Sequence, residues 1–238
     1  MPFADSSVYK IPDQLTDEQV LFLADILPTA FEVGVLNADV SPGDVVAIVG
    51  AGPIGLAAIL TARLYTPGRI VAVDLADARL DAALRFGADV TINNGREDAV
   101  ARIMELTDGL GADSAFEAVG VPESFDLAAD LIRAGGRVAN IGVHGKPASL
   151  HLERLWIRDV TITTGLVDTF SIAQLLRLIA NGRLDPSLFA SHHFALEDTM
   201  AAYDTFAAAT NSGALKVVLC GPESSSKPDA QFSAAAAT

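Results

Sequence analysis

Val45-Val46-Ala47-Ile48-Val49-Gly50-Ala51-Gly52-Pro53-Ile54-Gly55 decides how this chain is read. The apolar run at 45–49 reads as a buried strand, and an apolar, Ala-rich stretch at 56–64 reads as a helix. Between them the glycines fall in G-x-G-x-x-G spacing, and the next apolar run, Ile70-Val71-Ala72-Val73, ends in an acid, Asp74. The glycine spacing alone is a weak signal; strand, glycines, helix and distant acid in this order form a dinucleotide-binding fingerprint. Gly50 permits the tight turn out of the strand, and Gly52 lets backbone approach a pyrophosphate. Gly55 lets the helix pack close to the sheet, and the helix N-terminus, with Pro53 and Ile54, faces the negative charge. Asp74 would accept hydrogen bonds from the adenine ribose hydroxyls and repel a 2′-phosphate, which points to NAD rather than NADP. A strand–helix turn without ligand and an adenosyl-cofactor methyltransferase loop compete with this reading. The third glycine, after Pro53-Ile54, favours the dinucleotide.

The same alternation continues outward. Strand patterns recur at 69–73, 89–92, 114–118, 137–141 and 160–163, with helical patterns at 54–65, 78–86, 97–107 and 125–132. Short apolar strands alternating with amphipathic helices predict an α/β fold, a doubly wound six-stranded parallel sheet of Rossmann type. Two regions break the rhythm. A helical segment at 17–27, Pro28 and an apolar run to residue 35 precede the sheet. A helix at 172–180, an extended stretch at 189–194, a helix at 196–209 and a strand at 215–220 follow it. The expected division is a catalytic-domain remnant at 1–35, an NAD-binding domain at 36–165, a second catalytic-domain part at 166–221, and a disordered Ser/Ala/Pro-rich tail at 222–238.

Composition narrows the class of partner. The chain has 238 residues, half of them hydrophobic, and 30 acidic against 16 basic residues give a net charge of −14. Such a surface repels nucleic acid and anionic membranes, and neither is expected as a partner. The single cysteine, Cys220, excludes an internal disulfide framework and fits a cytoplasmic protein; in the last strand it is expected to be a small buried hydrophobe. No leader or bilayer-spanning run is expected.

These motifs together resemble the medium-chain, zinc-dependent alcohol dehydrogenases, over most of the chain but only the later part of a family member. The resemblance rests on Val40-Ser41-Pro42-Gly43-Asp44 leading into the glycine turn, Arg85-Phe86-Gly87-Ala88, and Phe116-Glu117-Ala118-Val119-Gly120. It also rests on Gly135-Gly136-Arg137-Val138, Ile141-Gly142-Val143 and Ala214-Leu215-Lys216-Val217-Val218. It implies hydride transfer between an alcohol and NAD, with Asp74 and Arg79 at the adenosine ribose and Lys216 at the pyrophosphate. Val119-Gly120 and Ile141-Gly142-Val143 would meet the nicotinamide half, with Thr29 beside the ring; Val119 and Val143 are expected to pack as well. For Arg79 and Lys216 a solvated surface charge is an equal reading.

Asp25 matches the third protein ligand of the family's catalytic zinc, against the plainer reading of a helix-end carboxylate. The family's other ligands, a Cys and a His, belong to an N-terminal domain that this sequence does not contain. None of His144, His151, His192 and His193 is expected to be a ligand; the adjacent pair would point to opposite faces of an extended stretch. The zinc site is therefore expected to be incomplete, and the chain to begin inside a longer reading frame or to be a true truncation. Two other readings stay open, a non-catalytic NAD-binding module and a zinc-free quinone reductase of the same superfamily. Homo-oligomer formation is expected through the edge strand near 160–164.

Overall fold

A computed structural model describes residues 8–221; the tail expected at 222–238 lies outside the described residues. Inter-residue contacts divide the chain into two compact units, one ending at Phe189 and one beginning at Ala190.

The first unit opens with a helix that differs from expectation. The pattern at 17–27 predicts one helix, but the chain forms α1 (Asp17–Leu21), a tight turn at Phe22–Ala24, and α2 (Ile26–Thr29), which runs on as a wider π-helical stretch, Ala30–Leu36. Asp25 sits at the break with φ −155° and ψ −68°. Pro28 explains the interruption: it has no N–H to donate, and its ring collides with the carbonyl four residues earlier. Among the described residues no single helix is long and apolar enough to cross a membrane. The bent pair spanning 17–24 and 26–36 reaches that composition only jointly, across a 52° break.

The sheet alternates as the sequence predicts: β1 (Val45–Val49), α3 (Pro53–Ala62), β2 (Arg69–Asp74), α4 (Asp77–Phe86), β3 (Val90–Asn93), α5 (Ala99–Leu106), β4 (Ala112–Glu117), α6 (Pro122–Leu131), β5 (Ile132–Asn140), a short α7 (Leu152–Leu155) and β6 (Thr161–Thr164). All six strands are parallel, in the order β3-β2-β1-β4-β5-β6, so strand order reverses between β1 and β4. This is the expected doubly wound Rossmann-type sheet.

Both faces are covered. Ala47, Val49, Val71 and Val73 pack with Ile103 of α5 and Phe125 and Ala128 of α6, with Val160 and Ile162 at the margin. The alternate residues Val46, Ile48 and Ala72 are fully buried on the face that carries α3 and α4. Each large apolar side chain buried in this way, such as Ile48 or Phe116, stabilises the fold by about 1.5–3 kcal/mol. Acidic side chains take up N–H groups where strands begin: Asp113 Oδ2 accepts from Val45 N and Asp89 Oδ2 from Ile70 N, each at 2.7 Å.

One strand is longer than predicted. β5 begins at Ile132, and its register with β4 jumps from Ala112↔Ile132 to Ser114↔Arg137. The bulge holds Gly135, at φ +74°. The sequence pattern starts this strand only at 137; Ala134, Gly135 and Gly136 lie within it, at the bulge.

The loop after β6 leads into α8 (Ile172–Ala180) and is anchored by Glu32, a buried acid of the π-helical stretch. Its carboxylate accepts from Asp168 N at 2.9 Å, Thr169 N at 3.0 Å, Ser171 N at 2.9 Å and Ser171 Oγ at 2.6 Å. Segments 8–36 and 166–189 thus fall with the sheet in the first unit. In the second unit β7 (Ala190–Ala195) and β8 (Lys216–Cys220) pair in parallel, and α9 (Thr199–Ala207) lies between them in sequence and packs on both.

Candidate functional site

The glycine turn joins β1 to α3, beside the reversal of strand order. Gly50 has φ +99°, and its N–H donates to the Val73 carbonyl at 2.8 Å. A Cβ there would lie 2.6 Å from Val119 Cγ2. Gly52 caps α3, with Pro53 in the first helical turn, and a Cβ on Gly52 would meet nothing within 4 Å. At Gly55 a Cβ would fall 1.8 Å from the Gly50 carbonyl oxygen. One glycine therefore makes the turn, one faces open space, and one lets the helix press against the turn. Gly52, Pro53 and Ile54 are partly exposed at the helix N-terminus, where backbone N–H groups attract anions.

Asp74 ends β2, with 7% of its side chain exposed. Its Oδ2 accepts from Ala51 N at 2.7 Å, inside the glycine turn, and its Oδ1 from Ala76 N at 2.9 Å. The acid thus ties the turn to the end of β2, a role that sequence reading misses because it assigns the carboxylate outward. Arg79 Nη1 lies 3.8 Å from Asp74 Oδ2; its side chain is half exposed, which makes the pair weak.

Beyond β4 and β5 two loops meet back to back. A Cβ on Gly120, at φ +89°, would lie 2.5 Å from the Val143 carbonyl oxygen, and one on Gly142 would lie 2.4 Å from Gly120 N. Val143 is 91% exposed, which corrects the expectation that it packs; Val119 is 50% exposed, with its Cγ2 against the Gly50 turn. Each lies at the carboxyl end of its strand, where the chain leaves the core.

Glu117 is the residue that sequence reading misses here. It is completely buried, and its Oε1 accepts from Val119 N and Gly120 N at 2.8 Å each, with Ser124 Oγ at 2.6 Å. The signal was available: an acid inside the strand Ser114-Ala115-Phe116-Glu117 must find partners or stay out of the core.

The zinc reading finds no complete ligand set. Asp25 is exposed, and its Oδ1 accepts from Thr29 Oγ1 at 2.9 Å, so those two predicted residues do meet. Among the described residues no group of three or more His, Cys, Asp or Glu side chains could hold a metal ion. His144 Nε2 lies 2.9 Å from Asn140 Oδ1, and His151 Nδ1 lies 2.8 Å from Glu153 Oε1. Cys220, expected to be buried, is partly exposed in β8. The described residues do not fit a zinc site of their own. Lys216 opens β8 in the second unit.

Fold and turn together define a Rossmann-type α/β domain. A family model described as zinc-binding dehydrogenase matches residues 53–181, more than half of the chain, and the chain belongs to that family. An alcohol dehydrogenase of Cupriavidus necator is 37% identical over 223 residues, covering 92% of this chain and 60% of that protein. An NADP-dependent isopropanol dehydrogenase of Thermoanaerobacter brockii is 32% identical over 197 residues, covering 80% of this chain and 56% of that protein. Among solved structures, zinc-dependent alcohol dehydrogenase 2 of Streptococcus pneumoniae in its apo form superposes with a TM-score of 0.87 at 44% identity. That match covers 92% of this chain and 63% of the other. The chain spans about 60% of the length of such relatives.

Proposed function

We propose that this chain is the coenzyme-binding portion of a zinc-type alcohol dehydrogenase, and that it takes NAD in preference to NADP. The observation that carries the reading is the glycine turn with Gly52 facing open space beside the Asp74 carboxylate. Gly50, Gly52, Pro53, Ile54 and Gly55 would receive the pyrophosphate at the start of α3. Asp74 and Arg79 would hold the adenosine ribose, and Val119, Gly142 and Val143 would form the nicotinamide side, with Thr29 nearby. When bound, NAD supplies the hydride acceptor for oxidation of an alcohol carbon. This chain's residues bind it, orient it and shield one face of the ring with apolar side chains.

The relative from Thermoanaerobacter brockii is NADP-dependent, so coenzyme choice varies among proteins similar to this one. A buried carboxylate at the end of β2 favours NAD because it would meet a 2′-phosphate as a like charge. Asp25 is the candidate contribution to a zinc site completed by ligands from outside the described residues. The incomplete ligand set favours a second reading, an NAD-binding module that acts with a chain carrying those ligands. The edge strand β6, with exposed Trp156 and Ile157 before it, suits pairing with a second copy. A net charge of −14 disfavours nucleic acid and anionic membranes, and the lone cysteine suits the cytoplasm.

Titration with NADH and with NADPH, followed by nicotinamide fluorescence, tests the proposal. Saturable binding that favours NADH is expected. A preference for NADPH refutes the coenzyme assignment, and binding of neither refutes the coenzyme role.

A further inference from the structure

Glu117 bonds both loops at the carboxyl ends of β4 and β5, and Asn140 Nδ2 also donates to the Gly142 carbonyl at 3.0 Å. The Glu117 carboxylate takes the N–H groups of Val119 and Gly120, while the Glu117 backbone carbonyl accepts from Ile141 N at 2.8 Å and Gly142 N at 3.0 Å. Ser124 Oγ lies 2.6 Å from Oε1 and 2.8 Å from the Val121 carbonyl, and its single proton serves one of them at a time. The other carboxylate oxygen, Oε2, is buried and makes no hydrogen bond. His144 Nε2 is 3.3 Å from it, within ion-pair reach when the ring is protonated, and 2.9 Å from Asn140 Oδ1. A Cβ on Gly142 would lie 2.4 Å from that same Oε2, so the carboxylate backs directly onto the second loop. Burying a carboxylate is costly unless donors surround it, and here the donors are the backbone of one loop and the Ser124 hydroxyl.

The loops so fixed carry Val119 and Val143, the exposed apolar pair beside the strand-order reversal. We infer that Glu117 is a positioning residue for the nicotinamide half of the dinucleotide, setting the 119–120 and 141–142 backbones so that Val119 and Val143 form its apolar wall. The inference rests on the NAD reading above. It assigns Glu117 no contact with the coenzyme itself.

The test compares Glu117→Ala and Glu117→Gln in the full chain, with two ligands and one ligand-free readout. NADH contains both halves of the coenzyme, whereas ADP-ribose lacks the nicotinamide. Glu117→Ala should weaken NADH about tenfold or more while ADP-ribose affinity stays within about twofold. Amide hydrogen exchange at 118–121 should speed up in that variant without ligand. Glu117→Gln keeps an amide oxygen for Val119 N and Gly120 N, and should recover most of the NADH affinity. If Glu117→Ala fails to fold, Ser124→Ala removes one donor to Oε1 together with the hydroxyl's contacts to Val121, and should show the same selective loss at about threefold.

Equal weakening of NADH and ADP-ribose in a variant, or unchanged exchange at 118–121 in Glu117→Ala, overturns the inference and leaves the NAD reading standing. A wild-type chain that binds neither ligand overturns both.

Discussion

Replacing Asp74 with Asn separates two roles that converge on one carboxylate. The wild-type side chain accepts from Ala51 N at 2.7 Å through one oxygen and from Ala76 N at 2.9 Å through the other. Asparagine offers one acceptor oxygen, so its NH2 group must face one of those N–H donors. The loss of a charge-assisted bond together with a stranded N–H costs about 1–3 kcal/mol. At about 2–4 °C per kcal/mol for a chain of this size, the melting temperature should fall by about 2–12 °C. Coenzyme binding should suffer separately. A lost charge-assisted bond to the ribose is worth about 1.5–3 kcal/mol, roughly tenfold to a hundredfold in NADH affinity. A displaced turn would weaken NADH and NADPH alike and cancels in their ratio, whereas loss of the negative charge favours NADPH alone. Differential scanning fluorimetry of the ligand-free protein reads the first effect, and paired fluorescence titrations read the second. An unchanged NADH to NADPH ratio refutes the ribose assignment; an unchanged melting temperature refutes the anchoring role.

Gly55→Ala should destabilise the chain by about 3 kcal/mol or more, visible as a large fall in melting temperature, because its Cβ would lie 1.8 Å from the Gly50 carbonyl oxygen. Gly52→Ala should leave stability within about 0.5 kcal/mol, since nothing lies within 4 Å of the new Cβ, yet weaken NADH in the fluorescence titration by crowding the pyrophosphate path. Glu32→Ala strips the acceptor from Asp168 N, Thr169 N, Ser171 N and Ser171 Oγ. Faster amide exchange at 168–171 and a lower melting temperature should follow. Dialysis against zinc followed by elemental analysis should find less than stoichiometric metal, because the described residues supply no group of three ligands; stoichiometric zinc would refute the incomplete-site reading.

The sheet was legible because its signals are local. The central strands β1 and β2 are short apolar runs, α3 and α4 are each bounded by a glycine, and parallel pairing follows from the alternation. The failures have physical causes of longer range or opposite sign. Pro28 breaks a helix whose apolar spacing continues through it. The bulge at Gly135 hides the part of β5 before 137, where the sequence pattern starts the strand. Val143 follows an apolar strand and looks like core, but the chain has already passed the sheet's end and leaves it 91% exposed. An acid within an apolar run marks Glu117 as needing partners, but for Glu32 and Glu117 those partners are mostly backbone N–H groups, which no residue type in the sequence identifies. Glu32 bonds residues more than 130 positions away.

Those acids also change how the net charge of −14 bears on the site. Asp74, Glu117 and Glu32 are largely buried, and each has its charge spread into backbone donors. At the carboxyl end of the sheet, the amides of Ala51, Val119 and Gly120 are already taken by carboxylates. Loop amides elsewhere commonly serve as anion receptors, but these three are held in place as structure. A pyrophosphate approaching the turn would meet an acid beside it, and the compensating attraction must come from the first turn of α3, where Gly52, Pro53 and Ile54 present the helix N-terminus. On the coenzyme reading, binding would depend on how close a phosphate can come to that helix, and the open side of Gly52 leaves room for that approach. For this reason the Gly52→Ala variant, silent in stability, carries more weight for the coenzyme reading than the loss of any single charged side chain.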